Sequence, residues 1–585
     1  MIAVALLGSV VAWLVSRAAV IKEELVAADA LVSRLEDEVA SRNSPAAAAT
    51  VSQLQVHTAA AKEASEDPVW TLASTIPGVG PNFSVAAEMA RSADDVASLG
   101  LAPLVEVFGS LDWTALTPSE AGADLRPLTE ASPSVASAAY AVRISSERLD
   151  AINTNAVLPQ VAEPLTRARD KLRQVTGALD AASDAATLLP QMMGEAGPRN
   201  YLLMVQNNAE ARASGGIPGA LAILSLDKGK LTLGSQTSAA AIGVMSPTVP
   251  FDPEQQQIYS KRVGKYMQDV NLTPDFPTAA STAQAMWELK TGQRVDGVVS
   301  VDPVVLGYIL DTTGPVKITN SELVSLASHG LPTELTGQNI VQTLLSDVYA
   351  EIEQPALQDA YFAGVAQEVF SALSDGKGNG KGLLTGITRG TTEGRVLLWS
   401  GRPAEQSILS QYAVSGAVAG PSVPAAQFGV YFNDGTGAKM DYYVKRTVQL
   451  IKECPKDGYE QTTVRVTSTN TAPADAASSL PAYVTGDGNY GVPAGSVQTN
   501  IVAYGPVQSL VETAMLDGKR TEFASYFHSN RPVGIQAVRL APGESKTIDF
   551  TFGKIVQDTE PNVVVTPTVQ AVDDVTLPTK NATCT

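Results

Sequence analysis

The apolar pattern at the amino terminus predicts a membrane anchor. Residues 2–15 carry no charged side chain, Arg17 follows, and apolar residues continue to Ile21. About 20 such residues span a bilayer, and an arginine near the interface can extend its side chain to water. The run has no clear basic n-region or cleavage site with a loop after it, and the helical pattern continues past Ile21, which favours an uncleaved anchor over a signal peptide. We predict a single transmembrane helix over residues 1–21, with the rest of the chain outside the cytoplasm.

Apolar residues at helical spacing predict a stalk of helices over residues 22–195. Pro45 divides the first part of this region into two helices. The tract 76–81, Ile-Pro-Gly-Val-Gly-Pro, is similar to the hairpin of a helix-hairpin-helix DNA-binding motif. No Lys or Arg lies between Ala64 and Ala90, so we interpret the tract as a turn between two helices.

Short apolar runs replace the helical pattern after residue 195 and predict an α/β domain over residues 196–420. Runs at 201–205, 220–226 and 298–301 are typical of buried strands. An amphipathic segment at 279–290 is typical of a helix, and strands alternating with helices indicate a sheet covered by helices.

The last part of the chain has the pattern of an all-β domain. From residue 421 short strands alternate with turns rich in Pro and Gly, as in the runs 428–432, 447–451 and 463–466. This pattern predicts an antiparallel, immunoglobulin-like β-sandwich over residues 421–585. The fold class is therefore multidomain: a membrane helix, a helical stalk, an α/β domain and a β-sandwich.

Three polar tracts of the α/β domain, residues 206–216, 269–278 and 294–296, supply the candidate ligand-binding residues. The first is an eleven-residue segment, 206–216, predicted to be a loop between two buried strands. Such a loop can bind phosphate or sugar, with an arginine as a bidentate donor and glycines that permit close backbone approach. The alternative is a structural network in which Arg212 pairs with Glu210 or with another carboxylate. The candidates are Asn207, Asn208, Glu210, Arg212, Gly215, Gly216, Asp269, Asn271, Asp275, Arg294 and Asp296.

Composition and charge exclude several classes of function. The chain of 585 residues has 41 Lys and Arg against 60 Asp and Glu, which gives a net charge of −19. That balance argues against a nucleic-acid partner, which needs a basic surface. The 3 His and 2 Cys are scattered, which excludes zinc clusters, Cys-X-X-Cys redox pairs and haem attachment motifs. We assign no metal site, no cofactor and no catalytic residue. In an oxidising exterior, the two cysteines, Cys454 and Cys584, are expected to form a disulfide.

The first polar tract also carries a family resemblance. Residues 206–219, Gln-Asn-Asn-Ala-Glu-Ala-Arg-Ala-Ser-Gly-Gly-Ile-Pro-Gly, resemble the signature of the actinobacterial domain-of-unknown-function family 4012. Residues 269–277 and the tyrosine pair at 442 and 443 are also similar to that family. The resemblance implies a membrane-anchored protein of the cell envelope, located at the plasma membrane with most of the chain extracytoplasmic.

The α/β domain has a more distant resemblance to the LytR-CpsA-Psr transferases. These enzymes move lipid-linked glycopolymers onto peptidoglycan. Arg212 with its hairpin, and the tract from Thr291 to Asp296, are similar to parts of their core. Ser214-Gly215 replaces the Asp of their Arg-X-Asp-Thr tract, and no Arg occurs from Gly330 to Thr388, where their pyrophosphate-binding arginines are expected.

Three functions follow as hypotheses. The first is a non-catalytic envelope protein that binds a cell-wall polymer or a partner protein. The second is a transferase that acts on a polyprenyl-pyrophosphate-linked glycopolymer. The third is a structural subunit of a surface assembly, which would add strands at the edge of the sandwich. The few histidines, the missing arginines and the acidic charge favour the first.

Overall fold

The chain folds into two compact units. The computed structural model describes residues 2–41, 43–110, 122–327, 330–374 and 380–584. The first unit comprises residues 1–117 and 123–196, and we call it the helical unit. The second comprises residues 118–122 and 197–585, and we call it the mixed unit. The molecule is therefore mixed α and β, with several sheets and many helices.

The helical unit consists of helices packed along small apolar faces. Alanines such as Ala47, Ala61 and Ala90 are fully buried between helices, which lets the backbones approach closely. The prediction that Pro45 starts a new helix is confirmed, because it lies in the first turn of the second helix after the cap Asn43. The helices are α1 (Ile2–Ala40), α2 (Ser44–Ser65), α3 (Pro68–Ser74), α4 (Gly80–Asp95), α5 (Ala102–Ser110), α6 (Arg126–Asp150) and α7 (Pro159–Met192).

Helix α1 contains the predicted anchor but does not end with it. The helix runs without a break to Ala40, and from Gly8 onward its first buried side chain is Ile21. Within the described residues, no helix combines the length and the apolar character that crossing a bilayer requires. The transmembrane span over residues 1–21 therefore stays a prediction.

The mixed unit begins with a five-stranded sheet in the order β3-β2-β1-β4-β7. Only the β1–β4 pair is parallel, and the other three pairs are antiparallel. Helix α10 (Phe276–Thr291) packs on the sheet through residues such as Ala283 and Met286, opposite Leu202 and Leu221. The strands are β1 (Arg199–Arg212), β2 (Gly215–Asp227), β3 (Lys230–Ser238), β4 (Gly297–Val301), β5 (Val316–Lys317), β6 (Glu334–Leu335) and β7 (Leu397–Ser400).

The helices of the mixed unit begin at strong sequence signals. Asp275 and Asp302 each cap a helix that has a proline in its first turn, and Gly292 ends α10 with a φ of 72°. The helices are α8 (Ala239–Ile242), α9 (Pro253–Tyr259), α10 (Phe276–Thr291), α11 (Pro303–Thr313), α12 (Ser321–Ala327), α13 (Ile340–Gln342), α14 (Val348–Glu351), α15 (Pro355–Ser374), α16 (Gly380–Thr392), α17 (Pro403–Leu409), α18 (Ala476–Ser479), α19 (Ala482–Thr485) and α20 (Val572–Val575).

Two further sheets share one core made of phenylalanine and aliphatic side chains. Their strand orders are β13-β12-β16-β10-β9-β18 and β14-β15-β11-β8-β17. Phe432 of one sheet and Phe550 of the other are fully buried in that core. The strands are β8 (Gln427–Asp434), β9 (Val444–Lys452), β10 (Glu460–Asn470), β11 (Val497–Tyr504), β12 (Leu510–Leu516), β13 (Lys519–Thr521), β14 (Ala524–His528), β15 (Arg531–Leu540), β16 (Ser545–Ile555), β17 (Asn562–Val565) and β18 (Thr576–Asn581).

The carboxy-terminal tail completes both of these sheets. Strand β17 pairs in parallel with β8, and β18 pairs in parallel with β9, so each becomes an edge strand. The predicted disulfide is confirmed: Cys454, just after β9, is bonded to Cys584, with their Cα atoms 5.5 Å apart. The tail is thus held by two strand pairings and one covalent bond.

Candidate functional site

The first polar tract forms the end of a long hairpin. The prediction of an eleven-residue loop at 206–216 is wrong, because β1 continues to Arg212 and β2 starts at Gly215. The polar residues belong to the β-ladder, with shifts in register after Val205 and after Asn207. A Cβ atom on Gly216 would lie 2.1 Å from the carbonyl oxygen of Asn207, so only glycine permits this close pairing.

The end of this hairpin, residues 211–216, is inserted into the neighbouring β-sheets. We call it the hairpin tip. Ala211 is part of the phenylalanine-rich core. The backbone N–H of Ala211 donates to Asp441 and that of Ala213 donates to Asn433, while the carbonyl of Ala213 accepts from the hydroxyl of Thr566. The hairpin tip of the first sheet is therefore bonded to β8, to the turn before β9 and to the chain just after β17.

Arg212 forms an ion pair inside the protein, as expected if the first polar tract is a structural network and not a ligand site. Its guanidinium lies 3.4 Å from Asp269, which also pairs with the exposed Arg262 at 2.7 Å. Arg212 and Asp269 are both buried. Asn271 lies beside them and donates to the carbonyl oxygen of Gly216 at 2.7 Å. Four of the candidate residues thus meet, but they bind one another in the interior.

Glu210 and Asn207 lie in a second group, around a buried lysine. Lys439 forms an ion pair with Glu210, and its ammonium lies 4.9 Å from the ring of Tyr349 and 4.4 Å from that of Tyr483. Burial lowers the pKa of Lys439, but Glu210 together with Tyr349 and Tyr483 raises it by more, so the net shift is upward. Asn207 donates to the hydroxyl of Tyr349 at 2.6 Å. Both candidates therefore position a lysine between two aromatic rings.

Asn208 belongs to a third group, which holds the carboxy-terminal tail. Its side-chain amide donates to Asp302 and to the backbone carbonyl of Pro567. Asp302 forms an ion pair with Arg395 at 2.8 Å, and neither side chain is more than 1% exposed. Arg395 also donates to the carbonyl oxygens of Thr568 and Gln570, so one buried guanidinium binds the tail in two places.

The remaining candidates lie elsewhere. Asp275 caps α10 and accepts from Thr278. Asp296 accepts from the backbone N–H of Asn200, near the start of β1, and Arg294 is exposed two residues before it. Arg212 lies at the opposite end of β1, about 35–40 Å away at roughly 3.3 Å per residue. Arg212 and Arg294 therefore cannot bind the same phosphate group.

Sequence reasoning missed a buried pair of carboxylates next to the hairpin tip. Asp441 pairs with Arg446, and both side chains are fully buried. Asp434 accepts from the backbone N–H groups of Thr436 and Gly437, each at 2.8 Å. Burial, the largest cause, and the charge of Asp441 together raise the pKa of Asp434 to about 7. The charge of Arg212 opposes this shift. Neither residue carries a local pattern that would have marked it as a site.

The raised pKa of Asp434 predicts a pH-dependent stability. The folded protein holds this proton up to about pH 7, whereas an unfolded aspartate releases it near pH 4. The unfolding free energy of the wild type is therefore expected to fall as pH rises from about 4 to 7. This fall should exceed that of Asp434→Asn by on the order of 2–4 kcal/mol. Urea titrations at several pH values measure the difference, and equal slopes would contradict the assignment.

The polar side chains of the three groups bind one another and nearby backbone atoms. Among the described residues, no group of three or more His, Cys, Asp or Glu side chains is placed to hold a metal ion. His57 pairs with Glu24 in the helical unit, and His528 shares a hydrogen bond with Tyr504. Burial lowers the pKa of His528. His329 lies outside the described residues.

One surface next to these groups is aromatic and exposed. The loop 482–491 carries Tyr483 and Tyr490, which are 48% and 68% exposed. The ring of Tyr490 packs over Gly437, where a Cβ atom would come within 2.8 Å of it. Asp487 and Asn489 between the two tyrosines are also exposed. We call this loop the tyrosine loop.

Comparisons with known proteins give a match to a family model and a weak likeness to a solved structure. No curated protein matches the chain. A crystal structure of a "putative nutrient binding protein" from Legionella pneumophila is similar at 7% identity and a TM-score of 0.14. That likeness covers 22% of this chain and 42% of the other, which is less than half of its length. Residues 196–349 match the model of the family described as protein of unknown function (DUF4012).

Proposed function

We propose that the chain is a non-catalytic protein of the cell envelope that binds a cell-wall polymer through the tyrosine loop. The amino-terminal helix holds it to the plasma membrane, and the rest lies outside the cytoplasm. The disulfide between Cys454 and Cys584 supports this location, because such bonds persist mainly in oxidising compartments.

The observation that carries the proposal is the contrast between the buried candidates and the tyrosine loop. Arg212, Glu210 and Asn208 have internal partners, so their polar atoms are committed to the fold. Tyr483 and Tyr490 are instead about half exposed or more, while Lys439 contacts the ring of Tyr483 and Gly437 contacts that of Tyr490. Tyrosine offers a large, rigid contact surface at a small cost in conformational entropy.

A polysaccharide fits the chemistry of this surface. The C–H face of a sugar ring is apolar and stacks on an aromatic ring, while its hydroxyl groups need hydrogen-bond partners at the rim. Asp487 and Asn489 supply such partners between the two tyrosines. Tyr483 is already held by its contact with Lys439, so binding would not have to order that ring.

The other two functions have less support. A transferase would need phosphate ligands in one cleft, and the positions of Arg212 and Arg294 at opposite ends of β1 argue against one. A subunit that adds strands would need a free sheet edge. The tail strands β17 and β18 occupy one edge of each sandwich sheet, which leaves β13 and β14 for that role.

Replacing the exposed tyrosines tests the proposal. Tyr490→Ala and Tyr483→Ala are each expected to weaken binding by about 1–2 kcal/mol, because each removes one stacking surface. The measurement is co-sedimentation of the detergent-solubilised full chain with purified, insoluble cell walls. Tyr140→Ala, which removes a 63% exposed tyrosine from the helical unit, is the matched control. Wild-type binding that both loop variants retain would contradict the proposal, as would a wild type that stays in the supernatant.

A further inference from the structure

Two turns of the helical unit lack charged residues. No charge occurs over residues 68–87, which form α3, the turn after it and the start of α4. At the chain's average of 17% charged residues, a segment of this length would carry about three. The turn from α6 into α7 is similar, since residues 151–162 are uncharged as well.

These two turns lie at one end of the helical unit. The side chain of Asn82, in the first turn of α4, accepts from the backbone N–H of Leu158 at 2.8 Å, which joins them directly. Asp67, the cap of α3, accepts from the indole N–H of Trp13 at 3.1 Å and pairs with Arg17 at 3.5 Å. Both turns are therefore next to the point where α1 enters the bundle.

The exposed surface at this end is apolar. Four large apolar side chains of the turns are about half exposed or more. They are Leu72 at 69%, Ile76 at 48%, Val79 at 50% and Leu158 at 57%. Monomeric soluble proteins rarely expose such side chains together without a partner for them.

Helix α1 indicates what that partner is. Every residue from Gly8 to Trp13 is exposed, as are Val15 and Ser16. The segment contacts other helices near its end, where Trp13 donates to Asp67 and the half-buried Leu14 packs on the helical unit. The segment is also uncharged on all sides. A helix that is apolar all round needs an apolar environment all round, and a lipid bilayer supplies one without a protein neighbour.

We propose that this end of the helical unit lies on the membrane, with the two uncharged turns inserted in the lipid interface around α1. The inference deepens the proposed function and rests on its membrane anchor. Leu72, Ile76, Val79 and Leu158 would enter the boundary between headgroups and acyl chains, where apolar side chains and tryptophans are favoured. The contact of α1 with Asp67 would then set the orientation of the helical unit on the membrane.

Fluorescent probes at single positions test this placement in the full chain. Cysteines introduced as Leu72→Cys, Ile76→Cys and Val11→Cys are labelled with NBD without reduction, so that the native disulfide stays intact. Val56→Cys is the matched control, because Val56 is equally exposed, at 68%, but lies on α2. Each labelled protein is reconstituted in phosphatidylcholine vesicles that contain a doxyl-labelled lipid as the quencher.

The expected result is quenching at positions 72 and 76 that approaches the quenching at 11 and exceeds that at 56 several-fold. If position 11 is quenched while 72 and 76 behave like 56, the anchor stands and the interfacial placement is overturned. If none of the positions is quenched, the anchor itself fails, and the placement fails with it. A blue-shifted but unquenched probe at 72 would mean that protein covers this surface, which also overturns the proposal.

Discussion

The Cys454→Ser variant is expected to lose about 4–5 kcal/mol of unfolding free energy. The disulfide closes a loop of 130 residues, and cross-linking so long a segment removes much of the entropy of the unfolded chain. Strand β18 ends three residues before Cys584, so its pairing with β9 would also lose its covalent support. Chemical denaturation of wild type and variant, followed by tryptophan fluorescence, measures the loss.

Reduction supplies the control for this variant. Dithiothreitol should lower the stability of the wild type to that of Cys454→Ser and should leave the variant unchanged. A variant as stable as the oxidised wild type would show that the two strand pairings alone hold the tail.

The second large effect is expected for Arg395→Met. This substitution keeps the length of the side chain but leaves Asp302 buried without its cation. Breaking a buried ion pair from one side typically costs about 3–5 kcal/mol. The carbonyl oxygens of Thr568 and Gln570 also lose their donor, so the tail should detach locally before the rest of the mixed unit unfolds.

Two measurements separate these effects. Urea denaturation gives the loss of unfolding free energy, and hydrogen exchange over residues 562–570 reports the release of the tail. Arg465→Ala is the comparison, because Arg465 pairs with Asp549 on the surface and is 47% exposed. Its loss should cost about 0–1 kcal/mol. If the two variants were equally stable, the tail would not depend on the buried guanidinium.

Local patterns in the sequence predicted many of the elements. Asp302 followed by Pro303 is a local signal for the start of a helix, and α11 begins there; Gly292 is a signal for the end of a helix, and α10 ends there. These signals act within a few residues, through caps and backbone angles that a sequence displays directly. The disulfide was also predictable, because only two cysteines were present to form it.

The wrong prediction of a loop at residues 206–216 has a physical cause. The polar groups of this tract form hydrogen bonds with partners far along the chain. The side chain of Asn208 donates to Pro567, and the backbone N–H of Ala213 donates to Asn433. A strand whose side chains bind distant polar groups lacks the apolar alternation that marks a strand in sequence. The tract therefore resembled a loop although it was a continuous hairpin.

The sequence also gave no sign of the residues that join the sheets. Arg395 and Lys439 lie in ordinary sequence surroundings, and the carboxylates of Asp302 and Glu210 that pair with them are 93 and 229 residues away. Tyr483 and Tyr490 fall in a Gly-rich segment that is typical of turns. Their exposure became apparent only in the fold.

The location outside the cytoplasm is the central claim on which the polymer-binding and membrane proposals depend. The most direct test is the redox state of Cys454 and Cys584 in intact producing cells, quenched with acid and treated with a thiol-specific maleimide. We predict that neither cysteine is labelled until a reductant is added, because the disulfide forms in an oxidising compartment. Two cysteines that are labelled without reduction would contradict it.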